Sequence, residues 1–420
     1  MKVAIVGAGC SGMGHLLSFE MYVPGSVIAV CDPDRSVFDE TLANFRRSVE
    51  GSSDPYMKTI GTLRCDLEKL PFYDDFESLL AHHEIDTVAI CSYCCTHAQM
   101  VEIAVRHNLN ILLEKPVAIS EADVERIWEL LRNYPKVATV NFTMRGAPVT
   151  RSAQRHVADG DLGRLVSVQY INNVHYGDGY FRKWMRTRQK IGSLFLQKAT
   201  HDFDIINSIL RLRPQRIAAF GSRRVYGGSR PNDLHCDECP DKWHCPQSSF
   251  VLKFDADKYF PPRRERLCVF ASEIDIDDNQ TVIIQYENGV NVSYSQTFCV
   301  PHGAAQRGGV FIGDAGTMKL EYYGEYVDGP VGKSHLDVYR NHAKPDSVIH
   351  EVHDWARRSH FDGTDYGFLA KLALLRGEKT EIANSVKEGY ISAKMCLAAQ
   401  RSIEEGRVIA LDLNLRDDSQ

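Results

Sequence analysis

The stretch Val3-Ala4-Ile5-Val6-Gly7-Ala8-Gly9-Cys10-Ser11-Gly12 decides how the first third of this chain folds. Four apolar residues without polar alternation read as a strand buried on both faces, and the glycines read as a turn into a helix. Gly7 permits the tight turn, Gly9 lets backbone approach a pyrophosphate, and Gly12 allows the helix to pack closely on the strand. The helix start at Cys10 and Ser11 offers a favourable dipole to an anion. A glycine trio alone is weak evidence. Here a second run, Val27–Cys31, ends at Asp32, twenty residues beyond Gly12, where a carboxylate would accept the ribose hydroxyls of a dinucleotide. Asp32 also repels a 2′-phosphate, which favours NAD, while Arg35 nearby leaves NADP open.

Outward from this stretch, short apolar runs alternate with helical segments. Thr87–Cys91, Ile111–Leu113 and Val137–Phe142 continue the strands, and Phe38–Arg47, Phe76–His82, Gln99–His107 and Glu121–Arg132 read as helices between them. Unalternated strands with intervening helices predict a doubly wound parallel sheet. Val49–Pro71 is too long for an ordinary connection and reads as a loop insertion. From Leu165 the texture changes to alternating or aromatic-rich strands: Leu165–Asn172, Arg216–Phe220, Leu267–Phe270, Thr281–Tyr286, Val290–Gln296 and Met318–Glu321. Glu287-Asn288-Gly289 forms a hairpin turn between two of them. Helices are few: Thr150–Ala158, about His201–Leu210, Tyr366–Leu375 and Val386–Glu405. The class is α/β plus α+β, with a parallel-sheet domain over 1–148 and a mostly antiparallel, mixed-sheet domain over 149–420. The run Val408–Leu413 is read as a last strand that could return to the first domain.

The chain has 420 residues, 44% hydrophobic and 25% charged, with a net charge of −6. Two domains are the default at this length. The charge gives no reason to expect nucleic acid, and the pairs Arg223-Arg224 and Arg263-Arg264 read as solvated surface. No apolar run reaches the ~20 residues that span a bilayer. No signal-like segment precedes the first strand, so a cytoplasmic protein is expected, with its twelve cysteines as thiols or metal ligands rather than disulfides.

Four further segments carry chemistry. Ser92-Tyr93-Cys94-Cys95-Thr96-His97 follows a strand at the carboxyl edge of the sheet, where Ser92, Tyr93 and His97 could border a nicotinamide ribose. Glu114-Lys115-Pro116 ends the next strand, and proline turns the chain out of the sheet. A lysine partly desolvated beside a cofactor can take a proton from an alcohol, or return it. In Leu194–Asp204, a helix would put Gln197, His201 and Asp204 on one face, with His201 on the reacting hydroxyl and Asp204 fixing its tautomer. Lys198 lies between them. Upstream, Tyr180-Phe181-Arg182-Lys183-Trp184 mixes rings with charged donors, which suits a polyhydroxylated substrate, through Arg182 and Trp184 above all. Finally, Cys236-x2-Cys239-x5-Cys245, with Cys268 later, resembles part of a structural zinc site; free thiols are the alternative.

Together, the glycine turn with His15, Glu114-Lys115-Pro116, the Phe142–Pro148 junction, the Asp161-Leu162-Gly163-Arg164 turn, His201 with Asp204, and Ala398–Val408 resemble the glucose–fructose oxidoreductase/inositol dehydrogenase (Gfo/Idh/MocA) family. The likeness covers nearly the whole chain. It implies a Rossmann domain plus an open-faced mixed sheet, homo-oligomers (dimer or tetramer) formed through that sheet, and NAD(P)-dependent oxidation or reduction of sugars, cyclitols and related hydroxyl compounds. It carries the family's lysine and histidine roles to Lys115 and His201. Two departures matter. Many members have an aspartate where Gln197 stands, and many have a proline where Tyr93 stands. Gln197 can be neither acid nor base, so a proton relay must rest on Lys115 and His201. Two other readings stay open: a glycoside-cleaving enzyme that uses tightly held NAD for transient oxidation and elimination, and a non-enzymatic dinucleotide sensor.

Overall fold

The computed structural model describes residues 1–50, 61, 66–248, 250, 251, 266–322, 333–341, 348–354 and 365–415. Most of the Val49–Pro71 connection and the Arg263-Arg264 pair lie outside the described residues.

The first layer is a six-stranded sheet in the order β3-β2-β1-β4-β5-β6. Its strands are β1 (Val3–Val6), β2 (Val27–Cys31), β3 (Phe72–Tyr73), β4 (Thr87–Ile90), β5 (Asn110–Leu113) and β6 (Ala138–Val140), paired in parallel throughout. β1, β4 and β5 are buried along their whole length. That is the environment their unalternated apolar sequences require, because helices cover both faces. The order reverses beside β1, so the carboxyl ends of β1 and β4 open a crevice where such sheets bind ligands.

The second sheet has nine strands, β14-β13-β12-β11-β7-β10-β9-β8-β15. They are β7 (Leu165–Asn173), β8 (Pro214–Ser222), β9 (Asn279–Tyr286), β10 (Asn291–Thr297), β11 (Gln306–Gly313), β12 (Gly316–Tyr322), β13 (Lys333–Arg340), β14 (Ile349–Asp354) and β15 (Ile409–Ala410). Among the described strands of this sheet, only β7 and β10 pair in parallel. β9 shows the period of two plainly: Gln280, Val282, Ile284 and Tyr286 are buried, while Thr281 and Ile283 are exposed. Asn288 and Gly289 take positive φ, 62° and 80°, in the hairpin between β9 and β10, as a tight turn demands.

Three differences from the sequence reading have physical causes. Leu267–Phe270 forms no strand; isolated bridges from Arg230 to Ala271 and from His235 to Leu267 tie it into a loop. β15 joins β8 in the second sheet and does not return to the first. The segment before the helix Thr200–Leu210 is a π turn, Phe195–Ala199.

The last helices stitch the molecule together. Ala373, Leu374 and Leu375 of the helix Asp365–Arg376 join the apolar core beneath the first sheet. Asn110 Nδ2 donates to the Leu374 carbonyl at 3.1 Å. Ser385 Oγ both accepts from Val140 N and donates to Val140 O, each at 2.8 Å. On the following helix, Val386–Glu405, Lys394 reaches Glu121 and Glu125, while Ser402 Oγ accepts from Ala219 N in β8.

Candidate active site

β1 delivers its chain to Gly7, whose φ of +98° is open to glycine. A Cβ there would lie 2.5 Å from the Cys91 carbonyl, and one at Gly12 would lie 1.8 Å from the Gly7 oxygen. Both glycines are fixed by backbone approach. Gly9 differs: nothing stands within 4 Å of where its Cβ would be. It is the N-cap of the helix Cys10–Tyr22, whose first residues, exposed Cys10 and partly exposed Ser11, carry the N–H groups that a helix leaves without intrahelical acceptors. Asp32, at the end of β2, accepts from Ala8 N at 2.8 Å and brings its carboxylate to the same turn. A glycine cradle at a helix N-terminus beside a carboxylate fits the pyrophosphate and ribose of a dinucleotide. Arg35 is engaged elsewhere, bonded to Asp39 and lying over the rings of Phe38 and Phe72.

β4 and β5 supply the next groups. Ser92 Oγ pairs with Thr96 Oγ1 at 2.8 Å. His97 is wholly buried, and its Nδ1 donates to the Pro116 carbonyl at 3.0 Å, which braces the β4 loop against the β5 end. Burial lowers its pKa. Glu114 is buried at the end of β5. Burial alone would raise its pKa, yet bonds from His15 Nε2 (2.7 Å) and Asn141 Nδ2 (2.8 Å), with the charges of His15 and Lys115, hold it at about 2. Its second oxygen accepts from Lys115 N at 3.2 Å. The helix of the glycine turn, β5 and β6 are therefore fastened together immediately behind Lys115.

Lys115 Nζ donates to the main-chain oxygen of Gln197 at 3.3 Å. This contact joins the first sheet to the π turn of the second half. Gln197 is buried, with Nε2 directed to Cys94 Sγ at 3.5 Å. One turn on, His201 is buried, its ring edge-on to Phe142 with centroids 6.0 Å apart. Asp204 makes no hydrogen bond to His201. It forms a buried ion pair with Arg145, whose Nε donates at 3.1 Å, and burial raises its pKa against that pull. Lys198 is buried against Tyr176, to which its ammonium donates. Thus Lys115 meets the Gln197 main chain, His201 lies one helical turn further on beside Phe142, Lys198 projects to Tyr176, and Asp204 is committed to Arg145.

Sequence reading missed several neighbours. Asp202, fully buried, accepts from Asn172 Nδ2 (2.6 Å), Tyr294 Oη (2.9 Å) and Arg307 Nε (2.8 Å), anchoring the helix Thr200–Leu210 to β7, β10 and β11. A carboxylate in an apolar helix was the available signal. Asn141 had one too, as a polar residue at the carboxyl end of a parallel strand.

At the mouth, half-exposed Tyr93 packs on Trp184, ring centroids 4.5 Å apart, and Lys190 lies 5.6 Å over the Tyr93 ring. Trp184 stands at this edge. Arg182 does not: it is 2% exposed, bonded to Asp178 and the Gln247 carbonyl.

The zinc alternative finds no support. Among the described residues no group of three or more His, Cys, Asp or Glu is arranged to hold a metal ion. Cys236, Cys239 and Cys245 form no disulfide. Buried Cys236 faces the Arg182 guanidinium, Nη1 to Sγ 3.7 Å, a cation where a metal would add its own charge. Among the described residues, no helix is long and apolar enough to cross a membrane.

Comparison with known proteins bears on the whole chain. Residues 1–142 match the model for the oxidoreductase family, NAD-binding Rossmann fold, and residues 154–411 match that family's C-terminal alpha/beta domain. YteT of Bacillus subtilis (strain 168) is 30% identical over 253 residues, covering 54% of this chain and 59% of that protein. Myo-inositol 2-dehydrogenase of Thermotoga maritima is 21% identical over 224 residues, covering 53% and 58%. The chain thus spans under two thirds of these relatives' length in the matched regions. The structure of levoglucosan dehydrogenase in complex with NADH shares the fold, with a TM-score of 0.68, 15% identity, and coverage of 98% of this chain and 99% of that one. Two family models spanning almost the full length, over a glycine cradle and a Glu-Lys-Pro strand end, leave one assignment: the chain belongs to the Gfo/Idh/MocA oxidoreductase family, with an NAD-binding Rossmann domain and the family's C-terminal alpha/beta domain.

Proposed function

We propose that this protein is an NAD-dependent oxidoreductase acting at a hydroxyl-bearing carbon of a sugar, cyclitol or glycoside. The observation that carries the reading is the 3.3 Å contact between Lys115 Nζ and the Gln197 carbonyl, which sets a lysine from the cofactor-binding half against the turn that leads to His201. Gly7, Gly9, Cys10, Ser11 and Gly12 hold the pyrophosphate, Asp32 the ribose, and Ser92 and Tyr93 border the nicotinamide end. When bound, the nicotinamide supplies the hydride acceptor or donor. Lys115 moves the proton of the reacting hydroxyl, and His201 orients its oxygen. Gln197 has no titratable group, so the proton passes through Lys115. The relatives named inositol and levoglucosan dehydrogenases support a polyhydroxylated substrate. We also propose a homo-oligomer formed through the open sheet face, where Phe220 and Ile283 on neighbouring strands are 81% and 50% exposed.

The test follows nicotinamide absorbance with both cofactors over sugars, cyclitols and glycosides. Turnover with NAD is expected. Lys115→Met should lower kcat by about 10²–10⁴-fold while NADH still binds. A Lys115→Met protein that works at the normal rate overturns the assignment. Glycoside cleavage without added cofactor would move the reading to oxidation–elimination, and NADH binding without turnover would move it to a sensor.

A further inference from the structure

Lys198 is 9% exposed, and among the described residues the side chain beside its ammonium is the Tyr176 phenol. Nζ donates to the Tyr176 hydroxyl and lies 4.9 Å from that ring's centroid. An ammonium has three donors, and among the described residues no carboxylate stands within 4.0 Å of this one. Arg182, Arg186 and Lys394, also buried, are matched with Asp178, with Glu273, and with Glu121 and Glu125, while buried Lys371 donates to Ser18 Oγ. A buried charge without a counter-charge is costly, and a ligand carboxylate would supply that counter-charge to Lys198. Lys198 belongs to the π turn that touches Lys115 and lies three residues before His201. Lys115 Nζ likewise has no carboxylate within 4.0 Å among the described residues.

We propose that the substrate is an acidic sugar, a uronate or its glycoside, whose carboxylate is held by Lys198 and the Tyr176 hydroxyl. This rests on the oxidoreductase reading above. One ammonium and one hydroxyl suit a monoanion. A phosphate would call for a guanidinium fork, and Arg182 and Arg186 are already taken.

The test compares matched pairs, an aldose with its uronate and a methyl glycoside with its uronate form. Each is assayed for turnover and titrated calorimetrically into the NADH-loaded protein. The acidic member should be preferred by about 10–100-fold, the worth of one charge-assisted hydrogen bond. Lys198→Met should remove most of that ratio, and Lys198→Arg should restore part of it, with NADH affinity monitoring the fold in both. Equal use of both members by wild type and Lys198→Met overturns the inference and leaves the oxidoreductase reading standing. Lys198-dependent uronate binding without hydride exchange from any compound does the reverse. Tighter binding of a sugar phosphate than of the uronate also overturns the carboxylate assignment.

Discussion

Gly9 and Gly12 stand three residues apart and separate two roles that a glycine motif combines. At Gly12 a methyl group would meet the Gly7 oxygen at 1.8 Å, and main chain cannot yield as a side chain can. Gly12→Ala should therefore lower the thermal midpoint and abolish NADH binding together. Gly9 has open space beyond its Cα and an ordinary φ of −70°. Gly9→Ala should keep the thermal midpoint near wild type but weaken NADH by about tenfold or more, roughly 1.4 kcal/mol, as read by nicotinamide fluorescence titration. An equal effect on fold and binding at both positions would remove the cradle from the argument. These glycines, Asp32 and Lys115 are legible in the sequence because their chemistry depends on neighbours a few residues away. The partner of Asp204 is not. Helical spacing offers His201, but Arg145, 59 residues earlier, comes into bonding range only when the chain folds back.

At the scale of elements, two buried acids anchor the helix that follows the π turn Phe195–Ala199, Asp204 to Arg145 and Asp202 to the second sheet. Asp202 faces away from the cofactor-binding half and binds β7, β10 and β11 through Asn172, Tyr294 and Arg307. Removing one partner leaves a buried charge, so Arg307→Met should cost about 3–5 kcal/mol of stability, and pairing it with Asp202→Leu should recover part of that. Urea unfolding of the single and double variants measures both. Legibility at this scale follows the environment of each strand. β1, β2, β4 and β5 are buried on both faces and announce themselves as apolar runs. β13 and β14, one face open and rich in His, Asp and Glu, read as polar sequence, and β3 is two residues long. Leu267–Phe270 looks like a strand because its apolar residues fill a satellite core under a loop. The π turn is invisible in the sequence, since its residues would serve an ordinary helix equally well.

For the whole molecule, acid should act in two stages. Burial depresses the pKa of His97, so below about pH 6.5 the unfolded chain binds the proton more readily, and stability falls with pH from there. Glu114 in the first half and Glu351 in β14 are both held at about 2, in each case by hydrogen bonds that outweigh burial. Their contributions are complete above the unfolded value of 4.5 and are lost as pH falls towards 2. Urea midpoints taken from pH 7 to pH 3 should show an early decline that His97→Asn removes and a later one that Glu114→Gln reduces. A flat profile above pH 4.5 would refute the first stage.

The helix Asp365–Arg376 has a bearing on how the protein is made. Leu374 completes the core beneath a sheet whose last strand ends at Val140, so more than 200 residues must be synthesised after that sheet has left the ribosome. At about 5–20 residues per second, the first half waits roughly 10–50 s with an uncovered apolar face. A fragment ending near residue 148 would wait indefinitely. It should collect in inclusion bodies, and supplying the later segment during synthesis, rather than lowering the temperature, should be what brings it into solution.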